Sequence, residues 1–202
     1  SDVYKRQDID GDFHIINGEF SPRTYTIHVA GDWIDTGGVF QPNGGDIVFD
    51  GNKQNIYTGA TNYFYNLTIE TQDTIWWRTS IDVNNGLYLN KGVIIPFGFT
   101  HYIGCDWADT QVVFKQDSGA IIFDGKGISI NQANTNYFYN LIIQVDDTVK
   151  AQSNINIYGN FELVNGVFEP GAYTHYVKGN WVDTGGVFQP NEGTIIFDGD
   201  ST

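Results

Sequence analysis

Carboxylates near the start of the sequence have the spacing of a calcium-binding loop. Asp8, Asp10 and Asp12 alternate with other residues in the segment D-I-D-G-D. A calcium loop of the EF-hand type takes oxygen ligands from positions 1, 3 and 5, but it also needs a glycine at position 6, where Phe13 stands. Asp and Gly are also ordinary turn formers. The pattern therefore favours a polar turn and leaves Asp8, Asp10 and Asp12 as a weak calcium candidate.

Five tryptophans could contact a carbohydrate or a protein partner through their rings. Trp33, Trp107 and Trp181 recur at a constant interval, and Trp76-Trp77 form an adjacent pair. Repeated aromatic residues serve a β-helix core as well as they serve a binding face, so both interpretations stay open. Adjacent side chains in a strand point to opposite faces, and at least one of Trp76 and Trp77 is therefore expected to be exposed.

The remaining reactive side chains do not have catalytic or ligand spacing. Asp50, Asp124 and Asp198 recur in the motif F-D-G, but glycoside hydrolysis needs two carboxylates at one bond and these lie a whole repeat apart. The four histidines do not cluster at metal-ligand spacing, and Cys105 has no partner motif. We expect no catalytic residues, no tightly bound cofactor and no metal beyond the weak calcium candidate.

One block of sequence recurs along the chain. Residues 31–51 match residues 179–199 at 16 of 21 positions, and residues 105–125 form a diverged copy midway. The position numbers of equivalent residues differ by 74, and the alignment needs no insertion from Asp8 to Thr202. Such self-similarity is typical of repeat architectures. We divide the chain into repeat 1 (8–81), repeat 2 (82–155) and a partial repeat 3 (156–202).

Each repeat has the pattern of short strands joined by turns. Apolar and β-branched residues alternate in runs such as Tyr25–Val29, and Gly, Asn and Asp interrupt these runs every few residues. Apolar pairs recur at intervals of roughly 15–20 residues, about one coil of a parallel β-helix. We predict an all-β, right-handed parallel β-helix (β-solenoid), with about four coils in each repeat and repeats that superpose by translation and twist. The residues expected in one continuous core include Leu67, Leu87, Phe123, Leu141 and Leu163. Tandem antiparallel β-sandwich repeats are the alternative fold.

The repeated blocks carry a resemblance. G-N-W-V-D-T-G-G-V-F-Q-P-N-E-G-T-I-I-F-D-G and N-Y-F-Y-N-L-T-I resemble β-solenoid repeats of secreted or surface proteins of bacteria, of adhesin-like type, over residues 8–202. The resemblance implies an extracellular stalk, adhesin or fibre, and it brings no catalytic motif. Residues 1–7 lie outside the repeat and resemble a short sequence found at the ends of metagenomic reading frames. We expect that residues 1–7 are not native and that the parent protein is longer.

Charge and coil geometry limit the partners. The formal net charge is −14 with only 10 Lys and Arg, which disfavours nucleic acid and anionic membrane surfaces. No stretch approaches the roughly 18 apolar residues of a membrane span. The end coils of a β-helix present unpaired backbone groups, which invite pairing with another chain. We expect the partner to be a second copy, docked head to tail through the terminal coils, or further repeats of a longer parent chain, with surface glycans as a further class.

Three functions fit these features to different degrees. The favoured hypothesis is a structural or adhesive segment of an extracellular bacterial surface protein, or a protomer of an extracellular fibre, without enzymatic activity. The alternative is a carbohydrate-binding module that uses the repeated aromatic residues. A polysaccharide-degrading β-helix enzyme is a third and less favoured hypothesis. An exposed row of aromatic rings would favour the binding module, and carboxylates on adjacent coils of a cleft would favour the enzyme.

Overall fold

The computed structural model describes residues 6–199, and the regular structure within that range consists of β-strands. No described segment forms a helix long and apolar enough to cross a membrane. The strands are β1 (Arg6–Ile9), β2 (Phe13–Ile15), β3 (Glu19–Phe20), β4 (Thr26–Val29), β5 (Trp33–Asp35), β6 (Val39–Phe40), β7 (Asp46–Phe49), β8 (Gln54–Tyr57), β9 (Phe64–Trp77), β10 (Asp82–Ile95), β11 (Thr100–Ile103), β12 (Trp107–Ala108), β13 (Val112–Phe114), β14 (Ala120–Phe123), β15 (Ile128–Asn131), β16 (Asn140–Ala151), β17 (Asn156–Ile157), β18 (Phe161–Glu169), β19 (Thr174–Val177), β20 (Trp181–Asp183), β21 (Val187–Phe188) and β22 (Thr194–Phe197).

Each strand pairs with a strand one coil away. Ile27 of β4 pairs with Ile47 of β7, which pairs with Leu67 of β9, which pairs with Leu87 of β10. Each of these steps advances one coil of about 20 residues. All strand pairings among the described residues are parallel. The chain is therefore a β-solenoid of about 10 coils. This confirms the predicted fold class, and the antiparallel sandwich alternative is wrong.

Each coil has three faces, which we name A, B and C in chain order. In one coil β4 lies on face A, β5 on face B and β6 on face C, after which β7 returns to face A beside β4. The long strands bend around corners and contribute to more than one face. In β10, for example, the pairing with β9 shifts register between Val83 and Gly86 and again between Leu89 and Val93.

Consecutive repeats are rotated by one face and do not stack in line. From β4 on face A the chain passes eleven faces to its equivalent in the next repeat, β11, which lies on face C. The next equivalent, β19, pairs with β17 and β22 on face B. Eleven faces are three whole coils and two thirds of a fourth. One repeat is close to the predicted four coils, but the expectation that repeats superpose by translation and twist is wrong, because the missing third of a coil turns each repeat onto the next face.

Local packing is preserved although the repeats are rotated. The Trp33 ring centroid lies 4.9, 6.3 and 5.5 Å from those of three phenylalanines, and Trp107 repeats this arrangement at 4.9, 6.4 and 5.1 Å. One buried cluster of apolar side chains runs along the solenoid. It contains the residues predicted for the core, Leu67, Leu87, Phe123, Leu141 and Leu163.

The glycine of the F-D-G motif is required by the close approach of neighbouring coils. A Cβ atom at Gly51 would overlap the carbonyl oxygen of Ala30, and one at Gly125 would overlap that of Gly104. Both overlaps are with backbone atoms one coil away, which cannot move without disturbing the pairing. The motif therefore recurs for a structural reason, because only glycine lacks the Cβ atom.

The first coil extends beyond the predicted boundary of repeat 1 at Asp8. Of the predicted leader, residues 1–5 lie outside the described residues. Arg6 and Gln7 begin β1 and pair with Thr26 and Ile27. Both side chains are exposed. These two residues are therefore part of the coil pattern, although the apolar pattern of the repeat does not extend to Gln7.

Candidate functional site

Most of the tryptophan rings proposed for ligand contact lie in the core. Trp33, Trp107 and Trp77 are buried, so their rings cannot meet a ligand from solvent. The rotation of the repeats also places Trp33 on face B, Trp107 on face A and Trp181 on face C. These three rings therefore do not form a row along the solenoid. Within the predicted set, only Trp76 and Trp181 are partly exposed.

The Trp76-Trp77 pair has one ring inside and one ring outside, as the strand pattern predicts. Trp77 is buried, and Trp76 is half-buried on the outer surface of β9. The guanidinium of Arg78 lies 5.6 Å from the Trp76 ring centroid and 4.6 Å from that of Phe97. The Arg78 guanidinium therefore lies close to both rings, and it makes a cation–π contact with the Trp76 ring.

The calcium candidate is not assembled into a ligand set. The Asp8 carboxylate binds Arg6 through an Nε–Oδ1 contact of 2.7 Å, and Oδ1 of Asp12 accepts a hydrogen bond from the Asp32 amide at 2.8 Å. Asp10 is exposed. Within residues 6–199, no group of three or more His, Cys, Asp or Glu side chains is arranged to hold a metal ion. Asp8 lies in β1, and Asp10 and Asp12 lie at the corner between β1 and β2.

Two repeat-equivalent histidines are buried and bonded to backbone. Nδ1 of His101 accepts from the Ile81 amide at 3.1 Å, and Nε2 donates to the Pro96 carbonyl at 3.1 Å. His175 repeats both bonds, at 3.2 and 2.9 Å, with residues 155 and 170. Burial lowers the pKa of His101 to about 4, and it also lowers the pKa of His175. Both rings are neutral structural links and have no nitrogen free for a ligand.

Cys105 is a buried thiol without nucleophilic character. Burial raises its pKa to about 12, and the thiolate is the form that attacks substrates or binds metals. The side chain lies in the apolar cluster of the core. The prediction of a packing role for Cys105 agrees with this position.

Two grooves lie beside a turn that is repeated in copies 1 and 2. The first follows the turn 58–62 and is also lined by Asp82 and Tyr102. The second follows the turn 134–136 and is also lined by Asn156 and Tyr176, which are the repeat equivalents of Asp82 and Tyr102. The grooves share their framework but differ in charge, because a carboxyl group in the first is replaced by an amide in the second.

Asp82 has an unusual proton affinity in the first groove. Its Oδ1 atom is buried and has no hydrogen-bond partner among the described residues. Burial, and then the negative charge of Asp124, raise the pKa of Asp82 to about 6. A carboxyl group that holds its proton near neutral pH is what a general acid requires. Sequence spacing did not single out Asp82, because its pKa depends on neighbours contributed by other coils.

A third groove on the outside of the coils is bordered by stacked tyrosines. It is lined by Ile95, Val113, Lys115, Asp117, Thr135 and Tyr137. The Tyr137 ring stacks on Tyr158 with centroids 3.8 Å apart and planes at 6°. Nζ of Lys178 lies 3.9 Å from the centroid of the Tyr158 ring. Sequence reasoning did not connect Tyr137, Tyr158 and Lys178, because only the length of the coil brings these three side chains together.

Comparisons with known proteins found no matching family model, no similar curated protein and no similar solved structure. The β-solenoid architecture therefore rests on the chain's own strand pairing. None of these comparisons supports the resemblance to adhesin-type repeats. Functional inference accordingly begins from the surface of this solenoid.

Proposed function

We propose that the chain is a structural or adhesive segment of an extracellular bacterial surface protein, or a protomer of an extracellular fibre. One observation carries the proposal: parallel strands one coil apart pair along the whole described chain and enclose one continuous apolar core. Phe197, in the last described strand, is 62% exposed, and association with another coil would bury it.

The pairing pattern indicates how another coil of the same type would associate with β22. Parallel pairing with an offset of about 20 residues repeats along the whole described chain, and β22 pairs on one side with β19. A further coil would pair with the other edge of β22 and cover Phe197. That coil is either part of further repeats in a longer parent chain or the first coil of a second copy. Docking of copies head to tail does not close on itself and builds a filament.

The surface is consistent with a scaffold outside the cell. The formal net charge of −14 discourages side-to-side association of rods while leaving the apolar coil ends free to associate. The core is built from apolar side chains and includes one free cysteine, Cys105. Stacking of such coils therefore extends the rod without disulfide bonds.

The assembly prediction can be tested on the purified chain. Sedimentation velocity and negative-stain images at increasing concentration should show rods longer than the ~50 Å expected for ten coils at a strand spacing of about 4.8 Å. Phe197→Asp should abolish this elongation, because a charge would be buried at the junction. Val113→Asp is the matched control, since Val113 is exposed on the side of the rod. A chain that stays monomeric at all concentrations, or that elongates equally with Phe197→Asp, would contradict assembly through this coil.

Polysaccharide degradation is a second candidate, and the position of Asp82 favours it, because this side chain lines a groove and its buried Oδ1 atom has no hydrogen-bond partner among the described residues. Asp82→Asn is the matched variant, because repeat 3 has Asn156 at that position. Under the structural proposal, neither protein releases reducing ends from neutral or acidic polysaccharides. Release by the wild type that is lost in Asp82→Asn would establish the enzyme instead.

A further inference from the structure

Repeats 2 and 3 together present an outward ladder of side chains on face B. Lys115 pairs with Tyr137 across one coil step, Tyr137 stacks on Tyr158, and Lys178 covers Tyr158. The intervening residues Phe138 and Ile157 are buried and paired. Because side chains alternate along a strand, the ladder faces away from the core.

The stack holds the Tyr137 ring in one orientation. Tyr158 covers one face of the ring in a nearly parallel arrangement, and the ammonium of Lys178 fixes Tyr158 from its far side. The other face of Tyr137 is turned toward the preceding coil, where the third groove lies. A ring that is already ordered loses little conformational freedom on binding, which makes it a good platform for a ligand.

Polar groups around the platform are free to bind. Within residues 6–199, the hydroxyl groups of Tyr137 and Tyr158 make no hydrogen bond to protein, and neither do the side chains of Lys115, Asp117 and Thr135. The groove also has an apolar wall, where Val113 is 43% exposed. An aromatic face, an apolar wall and a few convergent donors and acceptors are the components of a small-molecule site.

We propose that this groove binds an uncharged oligosaccharide, with the Tyr137 ring stacked against the apolar face of one sugar ring and with Lys115 and Asp117 bonded to its hydroxyls. We expect an uncharged ligand because the charges of Lys115 and Asp117 in the groove cancel. A polyanionic glycan would in addition be repelled by the formal net charge of −14. Contact through Tyr137 replaces contact through the buried tryptophans, and it adds a binding role to the structural one.

The equivalent surface 74 residues earlier in the chain is a natural control for this site. Val39, Thr61 and Tyr63 are equivalent to Val113, Thr135 and Tyr137, and Tyr63 is exposed. The polar and supporting positions differ, however. Gln41 and Asn43 replace the polar residues Lys115 and Asp117. Asn84 and Gly104 replace the supporting residues Tyr158 and Lys178. Tyr63 therefore lacks the stacked support and the charged pair, so it should not bind.

Binding can be measured by isothermal titration calorimetry and by the tyrosine difference spectrum. The probes are cellohexaose, mannohexaose, xylohexaose and chitohexaose, with hexagalacturonate as a charged comparison. We expect saturable binding of at least one neutral hexasaccharide and a loss of affinity on the order of tenfold with Tyr137→Ala, the magnitude of a good aromatic contact. Tyr158→Asn, which copies the equivalent Asn84 of repeat 2, should weaken binding while leaving the fold intact. Tyr63→Ala should bind like the wild type.

Each other outcome overturns the proposal. If none of the neutral probes binds, the groove is not a site for uncharged sugars. If hexagalacturonate binds better than the neutral probes, the ligand is an anion, and the charge argument is wrong. If Tyr63→Ala weakens binding as much as Tyr137→Ala does, the sugar does not bind at the stacked pair. All of these measurements can be made on monomers, so they are independent of filament formation.

Discussion

At the residue scale, the buried histidines connect pH to stability. His101 accepts and donates one backbone hydrogen bond each as a neutral ring, and a second proton would remove the acceptor. Its pKa of about 4 in the folded chain lies below the ordinary value of 6.5. Between these two values the unfolded chain binds a proton that the folded chain does not. The contribution of His101 to stability is therefore fully present above about pH 6.5 and is lost as the pH falls toward 4.

The free energy of unfolding measured by urea titration should reflect this loss. We expect His101 to contribute a decrease of roughly 3 kcal/mol between pH 6.5 and 4, by the linkage of pKa to free energy. His101→Ile copies Ile27 of repeat 1 and should show a flatter pH profile, although it is less stable at pH 7 because two backbone groups lose their partner. An unchanged profile in His101→Ile would contradict the assignment.

Asp82 must be separated from the histidine in that experiment because it titrates in the same range with the opposite sign. Its pKa is raised from the ordinary value of 3.8 to about 6 in the folded chain. Between these values the folded chain holds a proton that the unfolded chain releases, and stability is lost as the pH rises toward 6. Asp82→Asn should be more stable than the wild type at pH 7 and should differ from it little at pH 4. The partial exposure of Asp82 keeps this difference small.

At the element scale, alternation along a strand decides which side chains carry stability. Trp76 and Trp77 are adjacent in β9, but Trp77 is enclosed by the coils while Trp76 lies on the outside. Removal of a buried aromatic ring costs the transfer free energy of the ring and leaves a cavity. Removal of a half-exposed ring costs much less.

The two rings allow a matched comparison by thermal or urea unfolding. Trp77→Ala should lower the free energy of unfolding by about 3–5 kcal/mol, as expected for a buried aromatic side chain. Trp76→Ala should lower it by about 1 kcal/mol or less, through loss of the contact with Arg78. A larger loss in Trp76→Ala than in Trp77→Ala would mean that β9 is shifted by one residue in register, because such a shift exchanges the two faces of a strand.

At the scale of the whole molecule, the rotation between repeats determines how the rod can be shortened. A repeat of eleven faces ends two thirds of the way around a coil, so three repeats are needed to return to the same face. Each residue nevertheless has the same neighbours one coil away as its equivalents in the other repeats, because every repeat passes through the same number of faces. The solenoid therefore behaves as a one-dimensional array of local contacts.

Deletion of one whole repeat should accordingly be tolerated. Removal of residues 82–155 joins residue 81 to residue 156, the equivalent of residue 82, and keeps every neighbour relation. We expect a folded, cooperative chain whose rod is shorter by ~18 Å, the rise of three and two thirds coils at about 4.8 Å each. Small-angle scattering and thermal unfolding provide the measurements. Removal of residues 82–111 is the control, and it should abolish cooperative folding because it places β13, a strand of face B, where a strand of face C belongs.

The sequence alone determined the class of architecture and most of the core. The regular self-similarity and the alternation of short apolar runs predict a parallel β-solenoid, and residues such as Leu67 and Phe123 are buried as that pattern requires. These features are local or strictly periodic, so they can be found without knowledge of spatial neighbours. The residue types also predicted one buried and one exposed ring in the Trp76-Trp77 pair.

Only the tertiary structure decided which face each repeat occupies and which side chains meet across coils. The coil length was predictable only as roughly 15–20 residues, and a small difference in the length of each coil decides whether repeats align or rotate. The same length decides that Tyr137 meets Tyr158 and that Trp33 and Trp107 lie inside the core on different faces. The surface of the solenoid is therefore a consequence of the exact number of residues in each coil, because that number sets which residues become neighbours in space.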